Sequence, residues 1–136
     1  MQAYAYLLKE ESEQQLLDKL LPKTHPLLQP DPQQLYLCIH CRQVISDQQQ
    51  LLAVRGSHEH YRINPAGADF RFLCLKRADG CRIEGPATTE ASWFSGHCWQ
   101  FAHCSHCDAQ LGWYFSGEQP HFFGLIKSKL LLELAG

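Results

Sequence analysis

A small, mostly β, loop-rich domain is what this chain predicts, on three observations. From Leu35 onward, short apolar or alternating runs are separated by turn residues. The length, 136 residues with 45% apolar and 19% charged, suits one domain and excludes wholesale disorder. Seven cysteines, some of them in two C-x-x-C pairs, are the staples that a small β core needs.

The elements follow in order. Ser12-Glu13-Gln14-Gln15 has the form of a capping box, and Leu16, Leu17, Leu20 and Leu21 share one helical face. Pro22 stops that pattern, and Pro26, Pro30 and Pro32 follow. Residues 1–34 therefore read as a short helix and a proline-rich linker, with 35–136 as the β domain. The helix packs on its own domain or docks a partner.

Strands are expected at 35–38, 51–54 and 61–63, the last ending at the turn Asn64-Pro65-Ala66-Gly67. Phe70, Phe72 and Cys74 alternate with Arg71 and Leu73, as in a half-buried strand. Asp79-Gly80 marks a turn, and Gly85-Pro86 opens a loop of small residues. Leu111, Trp113 and Phe115 alternate again, and 121–126 reads as a further strand. Residues 127–134 suit either a strand or a last helical turn.

Charge narrows the function. Twelve basic and 14 acidic residues give a net charge of -2. That balance lacks the footprint of a non-specific nucleic-acid binder or a polybasic membrane-surface protein. No apolar run approaches the roughly 18 residues of a transmembrane helix, and Lys9, Glu10 and Glu11 interrupt any signal-peptide core. The expected compartment is the cytosol.

Cys38-Ile39-His40-Cys41 and Cys104-Ser105-His106-Cys107 are the two C-x-x-C pairs. Two such knuckles supply the four thiolates of a closed, structural zinc site. They are separated by the sequence from 42 to 103, so one ion ties distant strands together. The competing reading, two redox dithiols, needs a thioredoxin-like βαβ context that is absent. His40, His103 and His106 flank the knuckles as bystanders. His58 and His60 are expected at the surface.

Trp93, Trp99 and Trp113 fall close together, with Phe94, Phe101, Tyr114 and Phe115 among them. Spacing alone favours an ordinary core. Trp93 and Trp99 nevertheless flank a Ser95-Gly96 turn, and aromatics on a loop beside a rigid scaffold suit a pocket.

Thr88-Thr89-Glu90-Ala91-Ser92-Trp93-Phe94-Ser95-Gly96-His97-Cys98-Trp99 resembles the S-W-F-x-G-x-x-W loop of the cereblon family. The stretch from Cys104 to Phe115 resembles its second zinc knuckle and third tryptophan strand. Phe123-Gly124-Leu125-Ile126 resembles its closing strand, and Asn64-Pro65 its Asn-Pro turn. The match covers roughly 35–132, and the chain is similar to a short, single-domain, bacterial type of thalidomide-binding (CULT) domain. No ubiquitin-ligase adaptor segment is recognised.

The resemblance implies a β-tent of two antiparallel sheets pinned by one structural zinc ion on four cysteines. It implies a cage with Trp93, Trp99 and Trp113 as walls and Phe115 as base. Ligands are cyclic imides such as the glutarimide of thalidomide, uridine, or cyclic-imide peptide C-termini. The Ala91 carbonyl accepts the imide N–H, the Trp93 N–H bonds an imide carbonyl, and Asn64 lies on the turn over the ligand. Ser92 belongs to the same set. Ala91 departs from the eukaryotic E-H-S-W pattern, removing one side-chain hydrogen bond worth about 1 kcal/mol.

Two other readings compete. A methyl-ammonium reader uses the same kind of cage with a balancing carboxylate, for which Glu90 and Glu118 are the nearest candidates. An enzyme like methionine sulfoxide reductase B needs an activated thiolate, and Cys74, Cys81 and Cys98 are the spare thiols. The expected protein is a non-enzymatic binding domain, in which Trp113→Ala removes binding and leaves the fold intact.

Overall fold

The computed structural model describes residues 33–135. The helix expected near Leu16 and the linker prolines lie outside these residues. The strands described are β1 (Gln33–Cys38), β2 (Val44–Asp47), β3 (Glu59–Ile63), β4 (Asp69–Leu75), β5 (Cys81–Thr88), β6 (His97–Cys104), β7 (Gln110–Gly117), β8 (Phe122–Ile126) and β9 (Leu130–Ala135). They form a three-stranded sheet, β2-β1-β9, and a six-stranded sheet, β3-β4-β8-β7-β6-β5. All pairings are antiparallel. The expected mostly-β architecture of two antiparallel sheets is what the described residues adopt.

The large sheet is covered on both faces by separate apolar clusters. Leu73, Leu75, Leu111, Phe123 and Leu125 pack with Tyr36, Cys38 and Ile45 of the small sheet. Phe72, Cys74, Phe94, Trp113, Phe115 and Phe122 make a second, aromatic cluster. This corrects the half-buried reading of β4: from Phe72 to Leu75 every residue is buried. A central strand covered on both faces loses its alternation.

Other expectations shift for identifiable reasons. The segment 51–54 makes only isolated bridges, Leu51 to Leu75 and Val54 to Ser57. Gly85-Pro86 lies within β5 and not in a loop, where the register shifts between Glu84 and Thr88. An edge strand tolerates a residue without an N–H. Residues 127–134 combine both options, a 3-10 turn over Lys127–Lys129 and then β9.

His60 is buried, contrary to expectation. Its Nε2 lies 2.9 Å from the Val54 carbonyl and 3.0 Å from that of Ser57, and its ring stacks on Phe72. It ties the 54–57 turn to the aromatic cluster. Among the described residues, no helix is long and apolar enough to cross a membrane.

Candidate metal centre and aromatic cavity

Cys38 ends β1 and Cys104 ends β6, so one knuckle springs from each sheet. The two turns share one hydrogen-bond pattern. The Cys38 N–H donates to the Gln43 carbonyl and the Arg42 N–H to that of Cys38, both at 2.8 Å. The Cys104 N–H donates to Ala109 at 2.8 Å and the Asp108 N–H to Cys104 at 3.0 Å. Arg42 and Asp108, each just after the second cysteine, have φ of 68° and 73°. The left-handed residue turns the chain back so that both sulfurs of a pair face one point.

The four sulfurs of Cys38, Cys41, Cys104 and Cys107 lie within 4.8 Å of one another. Across the two knuckles, Cys38 to Cys107 and Cys41 to Cys104 are both 3.6 Å. Zinc–sulfur arms of about 2.3 Å give a tetrahedron with edges of about 3.8 Å. The cluster therefore fits one zinc ion, held as a closed site by four protein sulfurs. None of His40, His103 or His106 joins it. His103 sits 3.5 Å from Glu84 and 3.0 Å from the Asp108 carbonyl, while the backbone N–H of His106 donates to the Cys104 sulfur at 3.4 Å.

The thiols themselves show what a cation would resolve. Burial raises Cys104, but the N–H groups of Cys107 and His106 and its sulfur neighbours bring it down to about 7. The Gln43 N–H lowers Cys41, yet burial and its sulfur contacts with Cys104, Cys107 and Cys38 push it up to about 12. Four sulfurs this close cannot all ionise alone, and a divalent ion removes that conflict.

A cavity of about 540 Å³ lies on the aromatic face of the large sheet, lined by residues that include Asn64, Ala91, Trp93, Trp99, Trp113 and Phe115. Of the residues expected at the site, the structure brings these six together. Ser92 is not among the lining residues; its hydroxyl instead donates to the Phe94 carbonyl at 3.1 Å and accepts the Phe94 N–H at 3.3 Å. Trp99 belongs to β6, not to the preceding loop. Cross-strand pairing sets Trp99 against Phe115 and Phe101 against Trp113, a block of four aromatics on adjacent strands.

The cavity also uses Phe70, Thr88, Phe101 and Gln110, which the sequence did not assign to it, and Glu90, which the sequence offered as the balancing carboxylate of a methyl-ammonium cage. Phe70 lies 5.1 Å from Trp113 and 6.1 Å from Trp93, centroid to centroid. Its alternation with Phe72 was readable, but not that the two share the cavity's side of β4.

Packing fixes the indoles. Phe72 stacks behind Trp93 at 5.5 Å, and Trp113 meets Trp93 edge-on at 4.9 Å. The Trp93 Nε1–H donates to the Ile63 carbonyl at 3.2 Å, tying it to the Asn64 turn. That turn is braced in its own right: the Asn64 Oδ1 accepts the N–H groups of Ala66 and Ala68. The Trp99 Nε1–H donates to the Glu90 carbonyl at 2.8 Å.

Between the first two tryptophans, Gly96 has φ of 85°, and a Cβ there would run into the Glu118 carboxylate. Only glycine serves this tight turn. Ala91 has φ of 56°, a left-handed conformation that costs a residue with a Cβ. Among the described residues, no hydrogen bond occupies the Ala91 carbonyl or the Trp93 N–H.

Of the spare thiols, burial pushes Cys74 up to about 12. Burial, with Cys104 and Cys38 nearby, does the same to Cys81. An activated nucleophile shifts the other way. Cys98 is half-buried, its sulfur 3.3 Å from the Ser116 hydroxyl.

Curated relatives match this chain. It is 35% identical over 74 residues to protein cereblon of Danio rerio and 34% over 74 residues to that of Gallus gallus. Each match covers 51% of this chain and 17% of the relative. Against protein cereblon of Xenopus tropicalis the identity is 31% over 101 residues, 68% of this chain and 22% of the relative. The chain carries a cereblon-type domain. It spans about a fifth of the length of these cereblons. No protein-family model matches the chain. The cereblon-type domain here is mostly β, with two antiparallel sheets and a four-cysteine site for zinc.

Proposed function

We propose that this cereblon-type domain is a non-enzymatic receptor for cyclic imides, with Trp93, Trp99 and Trp113 as walls and Phe115 as base. The observation that carries the reading is the pairing of an indole-lined cavity with two free backbone groups, the Ala91 carbonyl and the Trp93 N–H. A cyclic imide is flat, with a carbonyl–NH–carbonyl edge and aliphatic carbons behind it. Indole faces suit the carbons, and the loop backbone suits the edge. Burying that edge unpaired costs roughly 1–3 kcal/mol per group, so the backbone pair decides which rings enter. Thalidomide-type glutarimides, uridine and cyclic-imide peptide C-termini all present such an edge. A cytoplasmic setting suits the paired zinc thiolates, which an oxidising compartment would convert to disulfides.

The test is an NMR titration of the three indole N–H signals with glutarimide. Saturable shifts in all three, lost in Trp99→Ala, support the cage. Unmoved signals on folded, zinc-loaded protein refute it. Trp99 is the better variant because it is half-buried, whereas Trp113 is 9% exposed and packed against Trp93, Phe70 and Phe72. Burial on this scale means that Trp113→Ala costs about 3–5 kcal/mol of stability, so a loss of binding in that variant would be mixed with a loss of stability.

One observation favours a second reading. The cavity lining includes Glu90, the one carboxylate among its residues. A carboxylate beside indoles suits a methylated ammonium group. A tetramethylammonium titration of the same sample separates the two, since only the cation reading predicts that Glu90→Gln abolishes the response.

A further inference from the structure

The cavity is larger than one imide ring requires. Its volume, about 540 Å³, falls among pockets that enclose whole drug-sized molecules, roughly 300–1,000 Å³. Phe101 and Gln110 line it together with the three indoles. Phe101 follows Trp99 at the two-residue spacing that puts both on one face of β6, and their rings meet edge-on at 5.1 Å. It remains 39% exposed, a large apolar ring held open on the cavity wall.

Gln110 arrives there by a local irregularity. Ala102 pairs with Gly112, but His103 pairs with Gln110, so Leu111 is an extra residue in β7. Leu111 is fully buried in the opposite core, while Gln110 lines the cavity. A bulge of this kind redirects a side chain, and bulges concentrate beside functional sites. The Gln110 amide nitrogen lies 3.4 Å from the Gly112 carbonyl, and among the described residues its side-chain oxygen has no donor.

We infer that Phe101 and Gln110 form an accessory subsite that selects imides bearing an aromatic substituent with an N–H donor. The ring packs on Phe101, and the N–H donates to the Gln110 side-chain oxygen. This rests on the imide reading of the main cavity. Glu84 pairs across from Phe101, and its carboxylate is engaged by Arg82 and His103, so the subsite's charged border is already satisfied. A neutral substituent is favoured over a charged one.

The experiment is calorimetry on the full, zinc-loaded chain with two probes, glutarimide and 3-anilinoglutarimide. Wild type should bind the anilino compound about tenfold more tightly. Phe101→Ala should weaken the anilino compound more than glutarimide, removing about three- to tenfold of that advantage. Gln110→Ala should act in the same direction. Phe101→Leu keeps an apolar cover on Trp99 and should show the same selective loss, which guards against misfolding of the alanine variant. Equal affinity for both probes in wild type, or equal losses for both in the variants, overturns the subsite while the main cavity stands. Failure of both probes to bind wild type overturns the imide reading itself.

Discussion

Removal of the metal is the sharpest perturbation available. Structural zinc contributes roughly 10–16 kcal/mol of apparent binding free energy in small domains at neutral pH. The stability of a whole domain is roughly 5–15 kcal/mol. In this chain the ion joins the end of β1 in one sheet to the end of β6 in the other. Even one third of the lower binding figure, about 3 kcal/mol, lowers the melting temperature by at least about 12 °C at roughly 4–8 °C per kcal/mol. Scanning calorimetry of the full chain with and without a chelator measures this, with zinc counted by mass spectrometry. The sign of the pH dependence follows from the ligands. Free thiols, with an ordinary value near 9.0, are protonated at neutral pH, while a zinc-bound site holds thiolates. The unfolded chain binds more protons, so stability falls as pH drops below that value. Four thiols at about 1.4 kcal/mol per unit each set a ceiling of about 5.5 kcal/mol per pH unit. A melting temperature that is the same with and without metal, or flat from about pH 8 to about pH 6, refutes thiolate-held zinc as the pin.

Three further predictions concern Ala91 in the cage loop and Cys98 at the start of β6. Ala91→Gly relieves a left-handed residue at φ of 56° but frees the unfolded chain, so the net gain is up to about 1 kcal/mol, read as a few degrees in a thermal melt. Ala91→His supplies a side-chain donor and should raise glutarimide affinity by about 1 kcal/mol, or roughly fivefold, in calorimetry. Cys98→Ser keeps a hydrogen bond to Ser116 and should shift stability by less than about 1 kcal/mol with imide binding retained; abolished binding would contradict a packing role for this thiol.

The metal ligands were legible because C-x-x-C spacing is local and its chemistry is specific. The three tryptophans were legible as a group for the same reason, since they share a short segment. What local reading missed depends on pairing between distant strands. Phe70 reaches the cavity because β4 lies beside β8, and β8 beside β7. Gln110 reaches it through a bulge, which no residue preference announces. β6 was hidden because His97, Gln100 and His103 interrupt its apolar positions, yet the burial of His97 at 4% exposure is met by the Pro120 carbonyl at 2.9 Å. Ser92 was assigned to the ligand from its place in a motif, whereas its hydroxyl closes the turn that presents its neighbours.

The metal and the cavity are parts of one device. The second knuckle, from Cys104 to Ala109, is the connection between β6 and β7, so the zinc ligands Cys104 and Cys107 fix how that hairpin turns. Turn geometry sets strand register, and a one-residue slip would send every side chain to the opposite face. Along β6, Trp99 lies five residues from Cys104, about 17 Å, too far for any direct effect of the ion. Register carries the influence instead: it places Phe101 opposite Trp113 and Trp99 opposite Phe115. Gly124 completes the arrangement from the neighbouring strand. It pairs with Trp113, and a Cβ there would lie 2.9 Å from Phe72 and 3.1 Å from Phe115. Metal at one end of the hairpin and a missing side chain on the next strand thus hold four aromatic rings in place, with no contact between ion and cavity.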